Sequence, residues 1–275
     1  MKLVSKKPVN PTDIKCGYIE CGDCIDLMKK IPDNSIDMVL CDLPYGTTKC
    51  KWDTPIPLDL LWKEYSRVVK DNGAIVLFGT EPFTSFLIQS NLKDFRQKLT
   101  WLKTRPTNVF NAKKQFMNWT EDICVFYKEL PTFNPQMRTD GKFTGSKIQR
   151  MNTKRENGVF VKTGEKKDYV HKSNGGLFYP KTVLEYSNVH HNKEHFHPTQ
   201  KPVDLLKYLI RTYTNEGGLV LDNCCGSGST CVACVQTNRK YIGIEKDANW
   251  FHVAVNRVND EKRIESSNIN KTKER

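Results

Sequence analysis

Short continuous apolar runs alternate with stretches whose apolar residues recur every three or four positions, and this alternation predicts strands followed by helices along most of the chain. Residues 17–24 read as a short strand ending in Gly22-Asp23, with a helix from Ile25 to Lys30 and a turn at Pro32-Asp33-Asn34 after it. Ser35 to Cys41 is a second strand. Leu58 to Lys70, apolar at 58, 60, 61, 65, 68 and 69, predicts a helix closed by Asp71-Asn72-Gly73, and Ala74 to Phe78 a buried strand. A helix near Thr84 to Asn91 precedes Lys98–Lys103 and Ile123–Tyr127, a strand pair at a sheet edge. Val203 to Tyr213 is a helix stopped by Asn215-Glu216-Gly217-Gly218. Leu219–Asp222 and Tyr241–Glu245 are strands flanking a glycine loop and helix, and Trp250 to Val258 is the last amphipathic helix. The alternation implies a doubly wound, mainly parallel α/β sheet with an antiparallel edge hairpin. Residues 1–130 and 197–258 form two halves of one core, 131–196 an insertion, and 259–275 a tail polar enough to fray or stay disordered.

Charge changes this picture in one place. The chain carries a formal charge of +12 over 275 residues, which calls for a polyanionic partner. From Pro131 to Phe196 there are twelve Lys or Arg against six Asp or Glu, so half of the net charge falls in under a quarter of the length. That segment is also rich in Asn, Gly, Thr and Ser. Arg150, Lys154 and Arg155, with Tyr169, Phe178 and Tyr179 nearby, suit phosphate positioning and base-edge contacts; a solvated insertion that reads nothing is the alternative. Lys49 and Lys51, beside Trp52, lie in a polar loop able to close over a nucleotide.

No apolar run approaches the roughly 20 residues that span a bilayer, and the first residues lack a signal-peptide core, so no membrane contact and a cytoplasmic location are expected. Ten cysteines in a chain with ample Leu, Ile and Val read as reduced thiols. The pairs Cys21/Cys24 and Cys231/Cys234 have metal-like spacing without the turn residues of a zinc knuckle, and are read as buried thiols.

Two constellations carry chemistry. Asp42-Leu43-Pro44-Tyr45 follows the second strand and sets an acid, a stiffened backbone and an aromatic ring at its end. Such a set suits a planar base and its exocyclic amine. The second is Asp222 through Thr230, a strand end with Gly226, Ser227 and Gly228 in the turn. Glu245 follows 23 residues after Asp222, where an acid accepts from ribose hydroxyls. The dinucleotide fingerprint is incomplete, because Cys231 holds the third small-residue position, and no Walker lysine follows. A nucleoside without phosphate therefore fits, and S-adenosylmethionine is such a molecule.

In order along the chain, Asp42-Leu43-Pro44-Tyr45-Gly46, His197-Pro198-Thr199-Gln200-Lys201-Pro202 and Asp222 through Thr230 resemble the motifs of the β-class amino-methyltransferases of DNA, most of all the small adenine enzymes of phages and prophages. The resemblance covers about residues 16 to 258. Leu43 departs from the commoner proline, and Asn223-Cys224-Cys225 from a Pro-Phe-like pair. The resemblance implies a Rossmann-like methyltransferase sheet, S-adenosylmethionine as cofactor and double-stranded DNA as partner; a homodimer and a companion restriction endonuclease stay open. It further implies that Gly226, Ser227 and Gly228 admit the methionine part of the cofactor, that Glu245 grips the ribose, and that Asp222 faces the ammonium. Asp23 and Cys24 would lie near the adenine ring, and Thr199 to Lys201 would cover the methionine end. His197 is as well explained as a capping residue, and Asp23 as a turn-former.

The amine site follows from chemistry. An exocyclic amine donates poorly because its lone pair is delocalised into the ring. The Asp42 carboxylate and the Leu43 carbonyl can each take one N–H, turning the lone pair toward a sulfonium methyl group. Pro44 fixes the turn and Tyr45 stacks on the extruded base. N6 of adenine is the expected acceptor, favoured by the leading Asp; N4 of cytosine is the alternative, and a non-catalytic DNA-binding module the reading from another class.

Overall fold

The computed structural model describes residues 17–46, 53–139, 146–156, 159–172, 177–188 and 200–273. They form ten strands and six helices, alternating except from β4 to β8, where five strands follow one another without an α-helix. β2 (Ile36–Cys41) sits mid-sheet, buried on both faces, with Val39 and Cys41 entering one apolar layer and Met38 and Leu40 the other. This is why its sequence reads as a continuous apolar run rather than an alternating one. The eight-stranded sheet has the order β1-β10-β9-β2-β3-β5-β4-β8. β2 pairs in parallel with β3 (Val69–Gly79) and with β9 (Leu219–Asp222), while β9 also pairs with β10 (Lys240–Glu245), which pairs with β1 (Gly17–Cys21). From β2 the chain proceeds toward β3, and from β9 the other way toward β10. The sheet therefore reverses between β2 and β9, and their carboxyl ends open one crevice.

Helices α1 (Cys24–Met28), α2 (Leu58–Val68) and α3 (Phe83–Ser90) bury Met28, Leu61, Tyr65 and Leu87 in the first layer. Helices α4 (Val203–Tyr213), α5 (Ser229–Gln236) and α6 (Ala248–Lys273) bury Leu205, Leu209, Ala233 and Ala254 in the second. Two expectations need correction. α2 stops at Val68 rather than Lys70, because Val69 turns to φ −80°, ψ 135° and pairs with Ile36, and Lys70 bonds Asp37 at 2.6 Å. The expected stop, Asp71-Asn72-Gly73, lies inside β3. The tail from Asn259 is not frayed: α6 runs on to Lys273, helped by Arg263 on Asp260 at 3.2 Å and by Lys262 over the Tyr241 ring.

The antiparallel hairpin is longer than its sequence suggests, with β4 (Phe95–Thr107) on β5 (Asn118–Phe126), and a further strand, β8 (Val183–Tyr186), lies outside it in parallel with β4. The chain thus divides into residues 1–134 with 182–275 and a second compact unit, Pro135–Lys181. That unit is shorter at both ends than the expected 131–196, because Asn134 donates to the carbonyls of Arg211 and Thr214 at the end of α4, and β8 belongs to the sheet. Within it, β6 (Ser146–Glu156) and β7 (Val159–Lys172) form an antiparallel ribbon.

Candidate active site

At the end of β2, Asp42 enters a chain of buried charges. Its Oδ2 accepts from Lys201 Nζ at 2.7 Å, and its Oδ1 from the Tyr45 hydroxyl at 2.5 Å. Lys201 also meets Glu121 of β5 at 2.6 Å, and the second Glu121 oxygen meets Lys103 of β4 at 3.0 Å. Of these four side chains Asp42 is 25% exposed, against 10% or less for Lys201, Glu121 and Lys103; Asp42 and Lys201 line the crevice, and Asp42 is the more open of the two. Burial pushes the Asp42 carboxyl up, the Lys201 ammonium pulls it back, and the Glu121 charge adds to the rise. Burial also works to raise Glu121, but the two ammonium groups outweigh it and hold that carboxyl low. Lys201 is raised despite its burial, because two carboxylates face it. Breaking such a buried pair leaves an uncompensated charge that costs about 3–5 kcal/mol.

The neighbouring half of the crevice is made of backbone. β9 ends at Asp222, and the turn to α5 needs two left-handed residues, Gly226 (φ 51°) and Gly228 (φ 81°). At Gly228 a Cβ would lie 3.0 Å from that of Ala254, so glycine lets α6 close on the turn; at Gly226 the space is open. Glu245, at the end of β10, accepts from Gly226 N and Asp247 N, each at 2.8 Å. Each carboxylate oxygen keeps a lone pair for a ribose hydroxyl. Burial raises its pKa, opposed by those backbone donors. Asp222 is buried, accepts from Cys224 N at 3.2 Å, and is pushed up to about 6 by burial, against hydrogen bonds from Thr230 and Cys224. The cleft over these residues measures about 890 Å³, within the range of small-molecule sites, and Asp42, Leu43, Pro44, Asp222 and Glu245 all line it. The lining suits a nucleoside: the carboxylates of Asp222 and Glu245 can accept from hydroxyls or meet a cation, and space is open at Gly226.

The remaining expected residues are placed as follows. Asp23 caps α1 by accepting from Ile25 N at 3.0 Å, as a turn-former would, and also lines the cleft. Cys24 lines it from below, its thiol hydrogen-bonded to Cys224 and its pKa raised first by that bond and then by burial. Of the paired thiols, Cys24, Cys231 and Cys234 are buried as expected but Cys21 is exposed, since it sits on the outermost strand β1. Cys231 can occupy the third glycine position because Gly243 faces it: a Cβ there would lie 2.9 Å from the Cys231 sulfur. Ser227 is held by Arg257, which bonds its carbonyl at 3.2 Å and the Ser229 hydroxyl at 2.8 Å. The Leu43 side chain is buried, leaving the backbone as its functional part. The Tyr45 ring stacks on Phe83 at 4.8 Å. Lys201, expected over the methionine end, lines the cleft and sets its ammonium on Asp42. Thr199, Lys49 and Lys51 lie outside the described residues; Arg150, Lys154 and Arg155 lie on β6, opposite Asp168, Val161 and Phe160.

Sequence reasoning missed Glu121 and Lys103. Lys103 had a signal: Leu99, Trp101 and Lys103 share one face of β4 at period two, and all three are buried. Asp53 was also missed; its carboxylate accepts from Gly46 N at 2.8 Å and fixes the exit from the Asp42 turn.

The sequence profile of a family described as DNA methylase matches residues 36–256. Among characterised proteins, the DNA adenine methyltransferase YhdJ of Escherichia coli K12 is 26% identical over 271 residues, covering 92% of this chain and 86% of that protein. The type II methyltransferase M.HpaI of Haemophilus parainfluenzae is 28% identical over 259 residues, covering 88% and 74%. Among solved structures, the M1.HpyAVI–SAM complex superposes with a TM-score of 0.59 at 21% identity, covering 88% of this chain and 98% of that one. The cytosine-N4-specific PvuII DNA methyltransferase reaches 0.60 at 16%, covering 90% and 92%. At such identities these structures establish the fold, and the mixed α/β sheet is theirs.

Proposed function

The chain belongs to the DNA methylase family, and from that premise we propose that it transfers the methyl group of S-adenosylmethionine to the exocyclic N6 amine of an adenine extruded from double-stranded DNA. The observation that carries the reading is Asp42, the most exposed member of a buried ionic chain that reaches the crevice, on a strand adjacent to the one that ends at the nucleoside pocket. S-adenosylmethionine supplies an electrophilic methyl group on a sulfonium. Glu245 would hold the ribose and Asp222 the ammonium, with the turn at Gly226 to Gly228 around the methionine chain.

Asp42 and the Leu43 carbonyl each accept one N–H of the amine, which frees the nitrogen lone pair for in-line attack. The new N–C bond forms as the C–S bond breaks, its electron pair passing to sulfur. The cationic nitrogen then sheds a proton to Asp42 or water, and the Lys201 ammonium works against the burial that raises Asp42. Tyr45 donates to Asp42 and offers the ring face not covered by Phe83 to the base. Cytosine N4 would obey the same amine logic; the leading Asp and the adenine enzyme among the relatives support adenine. We further assign phosphate contacts to Arg150, Lys154, Arg155, Lys49 and Lys51, and a place in the compartment that holds DNA.

Incubation with methyl-labelled S-adenosylmethionine and unmethylated bacterial DNA, followed by nucleoside mass spectrometry, tests this. N6-methyladenine is expected. N4-methylcytosine would move the target, and absence of label in DNA would overturn the function.

A further inference from the structure

The β4–β5 hairpin ends in a loop, residues 108–117, whose composition matches no role described above. Phe110 and Phe116 are 103% and 98% exposed, so two large apolar rings stand wholly in water. Isolated exposed apolar residues are ordinary, but paired, fully solvated aromatics mark a contact surface. The loop is built to hold them. Asn108 takes a left-handed φ of 66°, Ala112 N bonds Val109 O at 3.1 Å, Lys114 N bonds Asn111 O at 2.8 Å, and the Asn111 amide bonds the Asn108 side chain at 2.7 Å. Lys113 and Lys114 are exposed between the two rings. From Phe95 to Thr120 there are six Lys or Arg and no Asp or Glu.

Topology aims this loop at the substrate side. Gly79, at the carboxyl end of β3, pairs with Asp122 near the start of β5, so the hairpin tip projects from the same sheet end as Asp42. Glu121, which meets Lys201 and through it Asp42, is five residues from Phe116, a reach of at most about 17 Å of extended chain. An occupant with negative charge and flat apolar faces, on the side of the sheet where a base would meet Asp42, is DNA.

We propose that the loop of residues 108–117 is a stacking wedge, in which Phe110 and Phe116 pack on bases exposed by extrusion of the target nucleotide while Lys113 and Lys114 hold the flanking phosphates. It rests on the DNA substrate proposed above. Exposed rings insert between base steps or cover unstacked ones at little sequence preference, because every base has a π face. The wedge would offset the cost of taking the adenine out of the duplex.

The full-length protein with Phe110→Ala and Phe116→Ala tests it, since neither ring has a packing partner to lose. DNA binding is measured by fluorescence anisotropy on a labelled duplex containing the sequence that wild-type protein methylates or, if it methylates none, on random-sequence duplex. The double variant should bind at least about tenfold more weakly, with S-adenosylmethionine affinity unchanged. A duplex mispaired at the target adenine should recover most of the lost DNA affinity, because less stacking must be broken. Lys113→Ala with Lys114→Ala should lower the salt slope by about 1.8. Wild-type DNA affinity in the aromatic variant would overturn the proposal, and so would a drop from dimer to monomer in sedimentation with DNA binding intact, which would make the loop a contact between copies. The binding measurement stands whether or not methyl transfer to DNA is found, so failure of the function and failure of the wedge are separable.

Discussion

The two halves of the crevice hold their carboxylates by opposite means. Glu245 and Asp222 are met by backbone N–H groups of Gly226, Asp247 and Cys224 and by the Thr230 hydroxyl, and among the described residues no lysine or arginine side chain donates to either. Asp42 is met by a lysine ammonium that a second carboxylate holds in place, and that carboxylate has a lysine of its own. The difference follows the ligand each half would receive. A sulfonium with an ammonium brings positive charge, so the nucleoside half is left short of it and both its carboxyl groups are raised by burial. An adenine amine brings none, so the protein supplies the cation, and the Asp42 cluster is neutral before substrate arrives.

The largest break in this comparison is Asp42→Ala. Turnover should fall by on the order of 10³, since amine orientation and charge stabilisation are lost together. S-adenosylmethionine affinity, measured by calorimetry, should hold; its loss would mean the halves are not separate. Lys201→Met comes next. It strands Asp42 and Glu121 as like charges, so stability in urea should drop by about 3–5 kcal/mol, and the acid limb of the pH–rate profile should move up, because the cation that pulled Asp42 down is gone. Glu121→Gln should move that limb the other way. It removes a charge that raises Asp42 and frees Lys201 to act on Asp42 alone. Coincident limbs in both variants would show that the cluster is only structural.

Asp222 gives the sharper test of the nucleoside half. Its folded pKa, about 6, lies above the 3.8 of an ordinary aspartate. The folded protein therefore binds the proton more tightly than the unfolded chain, and stability of the ligand-free protein is lost as pH rises from about 4 to about 6. Asp222→Asn should abolish that slope in urea denaturation. Binding of an ammonium-bearing cofactor needs the ionised form, so affinity should weaken by up to about tenfold for each pH unit below 6. A flat affinity between pH 5 and 7 would place the ammonium elsewhere.

The same contrast decides what could be read from residues alone. The nucleoside half is local: Gly226 and Glu245 are 19 residues apart, Cys224 and Asp222 two, so glycines and a strand-end acid announce it. The amine half is long-range. Lys201 and Asp42 are 159 residues apart, Tyr45 and Glu121 76, and no spacing rule joins them. Asp42 was legible as an acid after an apolar run, but nothing in the sequence pairs it with Lys201. In the fold, strand β2 was legible as an unbroken apolar run because both of its faces are buried, and helix α4 because one-sided burial imposes a period. The end of α2 was not, because the register of Val69 on Ile36 overrides a good turn sequence. Nor was β8, four residues whose only signal is their pairing partner.

The smallest expected effect comes from Lys246, a cation that lines the cleft beside Asp23. It meets Asp23 at 3.2 Å, but the two side chains are 78% and 44% exposed, so water screens the pair as it cannot screen Lys201. Burial works to raise Asp23, and the bonds from Lys246 and Ile25 N outweigh it and hold the carboxyl low. Only the second of those bonds caps a helix. Lys246→Ala should therefore shift stability by less than about 0.5 kcal/mol, whereas Asp23→Ala, which uncaps α1, should cost about 1 kcal/mol. Urea denaturation at low and at high salt checks both, and salt should shrink the small effect while leaving the cap term in place. A Lys246→Ala loss as large as that of Asp23→Ala would mean that the nucleoside half also leans on a side-chain cation, and the contrast between the two halves would fail at that residue.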